Sequence, residues 1–519
     1  MIALRKYQIE LIFNIKGLFK KKLKHIIMQA PTGAGKTVVF SAMCKMAIDK
    51  GNKVLIITDR KELLNQTGGS LDQFNITSYN IEAGSKYVDM SYSCFVAMSQ
   101  TLKRRIKEKY WIEFISRIDL IIIDEAHKQE FNYLFSSGLV DNKHIIGATA
   151  TPRRSGKMRQ MGLDYEAITS TITVKELIDK GFLVNSDNYG FGSPDISDVE
   201  IDRMSGDYKP GQLFEKFNET KRYGGVVKNY LELTPKTKSI CFCVNIEHAI
   251  KTTMEFRAQG IKAKYIVSNK TKPKDGNPDG LRAYELYKST FAEMSGKRTE
   301  IFNQFQNDEF DILVNADIAT TGVDIPSVDT IILNRATTSL TLYLQMIGRG
   351  SRIFEGKTHF NILDFGGNIE RFGNYDDNRK WYLWHEESKE GGVAPVKECG
   401  YTPEGISIKG RIEGQKGCRR LIHAGLVFCP FCGFQYPEKV IKEVELQLQV
   451  GVDGVKRIRD MTNENLYEYW KARGHKSAWL WRQLWYRGGE NAIRRFGKQY
   501  GWSFGTIEKA ISLMSKLTK

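Results

Sequence analysis

The sequence has no apolar run that approaches the roughly 20 residues needed to cross a bilayer. The segment from Met1 to His25 is basic, and charged residues interrupt its apolar positions, so it lacks the continuous apolar core of a signal peptide. Internal repeats and low-complexity tracts are also missing. From these absences we expect a chain with no membrane partner.

Cysteine is scarce, with eight in 519 residues. Half of them are scattered through segments that look like buried strands and helices, and half lie together between Cys399 and Cys432. A secreted disulfide scaffold would show a denser and more regular pattern. We therefore expect a reducing, cytoplasmic compartment. The four scattered cysteines are Cys44, Cys94, Cys241 and Cys243.

Acidic residues are fewer than basic ones: the chain has 60 Asp and Glu and 77 Lys and Arg, which gives a net charge of +17. Such a surplus favours an acidic partner, and nucleic acid is the most common one. A basic surface that only aids solubility is the alternative. The hydrophobic fraction of 41% is ordinary for a globular chain, and 519 residues are too many for one core.

Short unbroken apolar runs alternate with longer amphipathic stretches from Ile26 to about Thr358. Runs of this kind suit parallel strands buried on both faces, and the alternation predicts stacked β-α-β units. This length favours two sheets, with the break near Gly181–Val184. Residues 190–222 and 269–297 look like surface loops or inserts. The clearest runs are Val54–Ile57, Leu120–Ile123, Ile145–Gly147 and Ile312–Val314.

A small-residue loop follows the predicted strand His25–Gln29 and precedes a helical run that ends near Ile48. Strand, loop, Lys-Thr and helix is the context of a phosphate-binding loop, in which backbone N–H groups and the helix N-terminus face the phosphates. Lys36 would reach the β and γ phosphates of ATP, and Thr37 would ligate Mg²⁺. A Gly-rich turn before a helix is the alternative. The loop consists of Ala30, Pro31, Thr32, Gly33, Ala34, Gly35, Lys36 and Thr37, with Ala30 where the general pattern has Gly.

Two adjacent acids, Asp124 and Glu125, follow the apolar run Leu120–Ile123. In a parallel sheet the strand end would bring them beside the phosphate loop. Asp124 would hold Mg²⁺, and Glu125 would polarise or deprotonate the attacking water. Solvated loop carboxylates are the alternative.

With these two elements, residues 1 to about 360 resemble the superfamily-2 helicases and translocases, with a DEAH box at Asp124–His127. The resemblance implies that Gln8 contacts adenine and that residues 147–152, Gly-Ala-Thr-Ala-Thr-Pro, couple hydrolysis to strand movement. It also implies nucleic-acid contacts in two early motifs. Those candidates are Arg60, Gln66, Ser99, Gln100 and Thr101.

The second half of the chain continues the resemblance. Residues 240–243 stand where motif IV is expected, and residues 319–326 match motif V, which implies a nucleic-acid contact at Thr320 and nucleotide contacts at Gly322 and Asp324. Residues 345–352 match motif VI, with Gln345, Arg349 and Arg352 in catalytic roles. Charge on a transferring phosphoryl group needs cations, and the spacing predicts both arginines on one face of a helix. ATP would sit between the two sheets.

The segment Cys429-Pro-Phe-Cys432-Gly433 has the spacing of a zinc knuckle, two thiolates separated by two residues. A structural site needs four ligands, and Cys399 and Cys418 are the economical choice for the other two. His423 is an alternative to one of these, and four cysteines without metal are a further alternative. Zinc bound by four protein ligands would be structural, because no position is left for water.

Tryptophan, tyrosine and arginine are interleaved after Arg457. Aromatic side chains can stack on bases and cations can bind phosphates, but tryptophans at helical spacing usually form a core. We expect most of these tryptophans in a core, with a basic face that binds nucleic acid.

The domain order resembles the RadD-like and type III restriction-type branch of bacterial and phage helicases, which implies a bacterial or phage-encoded protein. The predicted fold is α/β. We expect two tandem RecA-like parallel-sheet domains, 1–180 and 181–375, followed by a zinc-binding module, 376–440, and a helical basic C-terminal domain, 441–519.

The predicted function is an ATP-dependent DNA helicase or translocase in replication, recombination or repair, with ATP, Mg²⁺ and Zn²⁺ as cofactors. A single-strand-binding protein or a nuclease is a possible protein partner. Three alternatives remain: an RNA helicase, the motor subunit of a restriction complex, and a binding scaffold with an inactive ATPase. The chain has no metal-dependent nuclease signature, so the second alternative needs a nuclease from elsewhere.

Overall fold

The computed structural model describes most of the chain. The described residues are 3–59, 69–82, 84–154, 160–191, 193–202, 205–267, 278–316, 325–384, 396–401, 407–412, 414–423, 426, 428–436, 463, 466–467 and 477–517. Within these ranges, every helix is too short or too polar to cross a bilayer. By its internal contacts the chain divides into two compact units: the first contains both large sheets, and the second contains the cysteine cluster and the C-terminal helices.

The first sheet has seven strands, and all of its neighbours pair in parallel in the order β3-β4-β2-β5-β6-β1-β7. The strand that leads into the phosphate loop, β1, therefore lies two places from β5, which ends at Asp124. The strands are β1 His25–Gln29, β2 Val54–Thr58, β3 Ser78–Ile81, β4 Cys94–Met98, β5 Leu120–Asp124, β6 His144–Thr149 and β7 Ala167–Thr169.

The second sheet has six parallel strands in the order β10-β11-β9-β12-β13-β8. Its first strand begins directly after the predicted break at Gly181–Val184. The strands are β8 Asn185–Gly190, β9 Ser239–Cys243, β10 Ala263–Ile266, β11 Ile312–Asn315, β12 Thr330–Asn334 and β13 His359–Asp364. Two short strands, β14 Val396–Glu398 and β15 Leu421–His423, come later in the chain.

Helices connect most of these strands. Those of the first sheet are α1 Lys6–Lys20, α2 Lys36–Ile48, α3 Ser99–Arg105, α4 Lys109–Ser116 and α5 Asn132–Ser136, and α6 Val174–Asp179 follows it. Those of the second sheet are α7 Pro210–Phe217, α8 Thr220–Leu233, α9 Ile246–Ala258, α10 Pro278–Met294, α11 Arg298–Gln306, α12 Leu340–Ile347 and α13 Asn368–Phe372. The C-terminal helices are α14 Ser477–Gln499 and α15 Phe504–Leu517.

The predicted fold class is confirmed. The apolar runs in β2, β5 and β11 are buried along their whole length, because helices cover both faces of a parallel sheet. The described part of residues 190–222 contains a helix as well as loops: α7 buries Leu213 and Phe217 in a small cluster that also includes Val244 and Ala336. In the other predicted insert, the described part from residue 278 onward begins with α10.

The second unit has a compact core where α14 meets α15. Trp481 is buried there, and Trp485 and Trp502 pack against the same cluster. The expectation that tryptophans form a core is confirmed for these three. Trp470 lies outside the described residues, and so does the Trp479 side chain.

Candidate nucleotide site and cysteine cluster

The predicted phosphate loop lies between β1 and α2, at the carboxyl edge of the first sheet. Gly33 has φ 84° and Gly35 has φ 78°, values that side chains rarely tolerate. Lys36 is the first residue of α2, so the positive end of the helix faces the space where an anion would bind. This geometry can cradle a phosphate, which is the chemistry that the sequence predicts.

Gln8 is buried against this loop. Its side-chain nitrogen donates to the Ala34 carbonyl at 3.1 Å, and its oxygen accepts from the Arg5 backbone N–H at 2.9 Å. The Tyr7 hydroxyl donates to the same Ala34 carbonyl at 2.9 Å. The structure thus brings Gln8 to the back of the phosphate loop and ties α1 to it.

At the end of β5, the Asp124 carboxyl is buried and the Glu125 carboxyl is partly buried, and the charge of Lys36 acts on both. Burial and the neighbouring Glu125 carboxyl raise the pKa of Asp124 to about 7, although the Lys36 charge opposes the shift. Burial also acts to raise the pKa of Glu125, but Lys36 and other nearby cations hold it below its usual range. The pKa of Asp124 is raised because its ionised form is unfavourable here. A bound divalent cation would stabilise that ionised form.

Glu125 has a strained backbone, with φ 51°. Its Oε2 lies 3.4 Å from Nδ1 of His127, whose same nitrogen is 2.8 Å from the Thr149 hydroxyl. Burial lowers the pKa of His127 to about 4, so this imidazole is neutral near pH 7. The neutral imidazole is therefore hydrogen-bonded to Thr149 of the Gly-Ala-Thr-Ala-Thr-Pro segment and lies next to the predicted base.

Two ion pairs that the sequence does not signal support this edge of the sheet. Lys128 pairs with Asp59 at the end of β2. The Arg154 guanidinium pairs with the Asp164 carboxylate at 2.7 Å, with both side chains almost fully buried, and donates to the His127 carbonyl at 3.1 Å. Each pair joins residues more than a few positions apart, so neither spacing nor local pattern reveals it.

The predicted motif VI arginines do not share a helix, so that expectation is wrong. The helix α12 ends at Ile347, because glycines at 348 and 350 break it and the chain turns through i to i−3 hydrogen bonds. Arg349 lies in this turn and its charge acts on Glu125. Arg352 lies in an extended bridge opposite Leu183.

This turn, residues 348–352, directly faces the phosphate loop. A Cβ atom added at Gly348 would lie 2.9 Å from Cγ2 of Thr32, and one added at Gly33 would lie 2.7 Å from Cδ2 of Leu183. Gln345, at the end of α12, is 8% exposed and its amide nitrogen has no hydrogen-bond partner among the described residues. The structure therefore brings the turn that carries Arg349 and Arg352 next to the phosphate loop.

Of the six predicted nucleic-acid contacts, Arg60, Gln66 and Thr320 lie outside the described residues. The predicted nucleotide contacts Gly322 and Asp324 also lie outside them. At the start of α3, the Ser99 and Thr101 side chains are buried, and the Ser99 hydroxyl donates to the Glu130 carbonyl. Gln100, between these two residues, is exposed to solvent.

The four C-terminal cysteines form one cluster, with all sulfur atoms within 4.8 Å of one another. Cys399 and Cys432 have their sulfurs 3.7 Å apart, and Cys418 and Cys429 have theirs 3.8 Å apart. A tetrahedral zinc site with Zn–S bonds of about 2.3 Å has edges of roughly 3.8 Å, whereas a disulfide needs about 2.05 Å. The spacing of these sulfurs fits zinc. The His423 side chain lies outside the described residues.

Comparison with known proteins supplies the family. Residues 1–154 match the family "Type III restriction enzyme, res subunit", and residues 224–354 match "Helicase conserved C-terminal domain". IRC3 of Saccharomyces cerevisiae, a candidate ATP-dependent helicase, is 30% identical over 70% of this chain and 52% of its own length. The EcoAI endonuclease subunit of an Escherichia coli type I restriction enzyme is 26% identical over 71% of this chain and 47% of its own.

Two further matches cover a larger share of the matched protein's own length. A 51.5 kDa protein of a Lactococcus phage is 26% identical over 81% of this chain and 82% of its own length. A solved fragment of a candidate type I restriction HsdR subunit from Vibrio vulnificus superposes with a TM-score of 0.53 at 22% identity, over 72% of this chain and 67% of that one. The last similarity shows the fold alone. The match covers about half of the yeast and Escherichia coli relatives.

The two sheets, the phosphate loop and the facing motif VI turn define a helicase-type ATPase of superfamily 2, whose domains imply ATP hydrolysis. Within that superfamily the chain belongs to the restriction-type branch.

Proposed function

We propose that this protein is an ATP-dependent DNA helicase or translocase that hydrolyses ATP with Mg²⁺ in the cleft between its two sheets. The observation that carries the proposal is the contact of the motif VI turn at Gly348 with Thr32 of the phosphate loop. It supports a site that is complete only when both sheets close on a nucleotide, which is how hydrolysis can drive movement.

In this proposal each residue has a role that its surroundings favour. Lys36 binds the β and γ phosphates, and Thr37 and Asp124 hold Mg²⁺. Glu125 accepts a proton from the attacking water. Arg349 and Arg352 neutralise charge on the transferring phosphoryl group, and an arginine in that position is worth about 10³–10⁵ in rate. Gln345, with its buried amide nitrogen, orients the same group.

Three further assignments complete the proposal. Gln8 senses adenine from behind the loop, and the exposed Gln100 contacts the nucleic-acid backbone together with Arg60, Gln66 and Thr320. Cys399, Cys418, Cys429 and Cys432 hold a structural Zn²⁺, since crowding of buried thiols raises the pKa of Cys399 and Cys429 and a dication would stabilise the thiolates. Reduced, buried cysteines elsewhere and the phage relative support a bacterial or phage-infected cytoplasm.

The test is the ATPase rate of the full chain without nucleic acid, then with single-stranded, duplex and forked DNA and with RNA. We expect strong stimulation by DNA, and no turnover above background for Lys36→Ala. Greater stimulation by RNA would contradict the DNA assignment, and normal turnover by Lys36→Ala would contradict the phosphate-loop assignment. A strand-displacement assay on the stimulating DNA then separates unwinding from translocation.

A second candidate is the motor of a restriction-type complex, favoured by the similarity to an endonuclease subunit of a type I restriction enzyme. In that case the protein should displace a third strand from duplex DNA without separating the duplex, and it should cut DNA only when a nuclease is added. Unwinding of forked DNA by the chain alone would argue against this candidate.

A further inference from the structure

Residues 375–384, here called the strap, leave the second sheet after α13 and reach the first. At the near end, the buried Tyr375 hydroxyl donates to the Ser351 hydroxyl at 2.9 Å, and that hydroxyl donates to the Gly348 carbonyl at 3.1 Å. Ser351 and Gly348 belong to the motif VI turn. The strap therefore begins with a side chain fixed to the turn that carries the two arginines.

Hydrogen bonds also fix the conformation of the strap at its near end, the end that begins with Tyr375. The Arg379 guanidinium donates to four backbone carbonyls of the loop before and around it, and the Tyr343 hydroxyl of α12 donates to the Gly373 carbonyl at 2.6 Å. Four carbonyls bound by one planar cation hold the loop in one conformation. The four carbonyls are those of Phe372, Asn374, Tyr375 and Asp377.

The far end contacts the first sheet. The Leu383 carbonyl accepts a hydrogen bond from the Gly162 N–H at 2.9 Å, and the Leu383 side chain packs against the core of the first sheet. The Trp384 ring lies against the same glycine, so that a Cβ atom there would be 2.2 Å from Cε2 of the indole. Gly162 is part of a 3-10 turn, Met161–Leu163, that precedes β7.

Between its ends the strap borders a cavity of about 540 Å³ next to the phosphate loop. Tyr375, Arg379 and Trp381 line one side, and Thr32 and Thr151 line the other. The Thr151 hydroxyl is buried and has no hydrogen-bond partner among the described residues. The strap thus crosses open space beside the cleft and has room to move when the sheets change position.

We propose that the strap is a positioning element that links the two sheets and holds the motif VI turn against the phosphate loop when no nucleic acid is bound. Its two ends are attached to different sheets, so separation of the sheets must either release Leu383 and Trp384 from the first sheet or stretch the segment. The link favours the closed cleft and sustains basal ATP hydrolysis. This inference rests on the proposed ATPase function.

Trp384→Ala and Gly162→Ala both weaken the attachment of the far end, one by removing the indole ring and the other by displacing it. The Trp384 side chain is 59% exposed, so its removal opens no core, and the added methyl at Gly162 pushes the ring away. We expect each variant to lower the basal ATPase rate by about fivefold or more and to raise the KM for ATP. With saturating nucleic acid, which closes the cleft itself, kcat should stay near wild type.

The double variant gives a stricter test. Once the ring is absent, the three atoms nearest to a methyl at Gly162 are gone, so Gly162→Ala should add little to Trp384→Ala. The matched control is Tyr382→Ala, which removes another exposed aromatic ring of the strap and should leave the basal rate unchanged. Additive losses in the double variant, or an equal loss in the control, would overturn the proposal.

A distance measurement separates this inference from the ATPase assignment. Spin labels at Ser116→Cys in α4 and Ala258→Cys in α9, both exposed positions, report the separation of the sheets. The same protein without these two cysteines gives the labelling background. We expect Trp384→Ala to lengthen or broaden the distance distribution without ATP. An unchanged distribution would refute the proposed role of the strap, even if the protein hydrolyses ATP. A longer distance in a protein without ATPase activity would support the role of the strap and refute the proposed function.

Discussion

At the scale of single residues, Glu125 combines a strained backbone with a crowded carboxyl. Its φ is positive, and its carboxyl lies 3.4 Å from His127 Nδ1 and interacts with the charge of Lys36. Strain of this kind costs on the order of 1–3 kcal/mol and persists only where the surrounding structure enforces it. At Glu125 the surrounding structure includes His127, which is hydrogen-bonded to Thr149, and the cations that favour the ionised carboxyl.

Glu125→Gln tests the proposed base. The amide keeps the shape of the side chain but cannot take a proton from water, and a general base contributes about 10²–10⁴ in rate. We expect ATP binding to persist, measured with a fluorescent nucleotide, while steady-state turnover falls by roughly 100-fold or more. The control is Glu130→Gln, an exposed carboxylate nearby that should turn over normally. Wild-type turnover in Glu125→Gln would remove Glu125 from this role.

At the scale of elements, the Arg154–Asp164 pair joins the segment after β6 to the turn before β7. Arg154→Met leaves the buried Asp164 carboxylate without its cation, which typically costs about 3–5 kcal/mol. We expect a clearly lower midpoint of thermal unfolding, measured by circular dichroism. The control is Arg117→Met, whose partner Glu113 is more than half exposed, and a surface pair of this kind contributes about 0–1 kcal/mol. Equal shifts in both variants would contradict the argument.

The cysteine cluster is a second element with a direct test. We expect one zinc per chain by elemental analysis, and we expect a strong chelator or Cys429→Ser to remove it, because three thiolates bind the ion more weakly than four. Phe434 and Tyr436 pack beside these cysteines, so loss of zinc should also expose their rings. Cys44→Ala, a buried cysteine outside the cluster, should keep its zinc. Purified protein with no zinc would leave the cysteines as a cluster without metal.

Much of the architecture follows from local sequence patterns. The unbroken apolar runs predict β2, β5 and β11, and the small residues before Lys36 predict a loop whose glycines adopt positive φ. Local patterns do not reveal contacts between distant residues. The close approach of Gly348 to Thr32 and the hydrogen bond of Leu383 to Gly162 both join positions with no shared pattern.

At the scale of the whole molecule, the net charge of +17 predicts salt-sensitive binding. If the chain neutralises several phosphates, the logarithm of its affinity for DNA should fall linearly with the logarithm of salt concentration, with a slope of about −0.9 per contact. Lys498→Gln, on an exposed part of α14, should make the slope shallower by roughly one. Lys50→Gln, exposed just after α2, is the control and should leave it unchanged; equal slopes in all three proteins would exclude Lys498 from the interface.

The return of the strap to the first sheet has a consequence for biosynthesis. The ribosome completes β7 roughly 215 residues before it reaches Trp384, a delay of about 10–45 seconds at usual elongation rates. During that interval the first sheet can fold alone, with its surface at Gly162 uncovered. The nascent chain would acquire the link between its sheets last, after the second sheet has emerged, so early domain folding and late assembly are separate events in time.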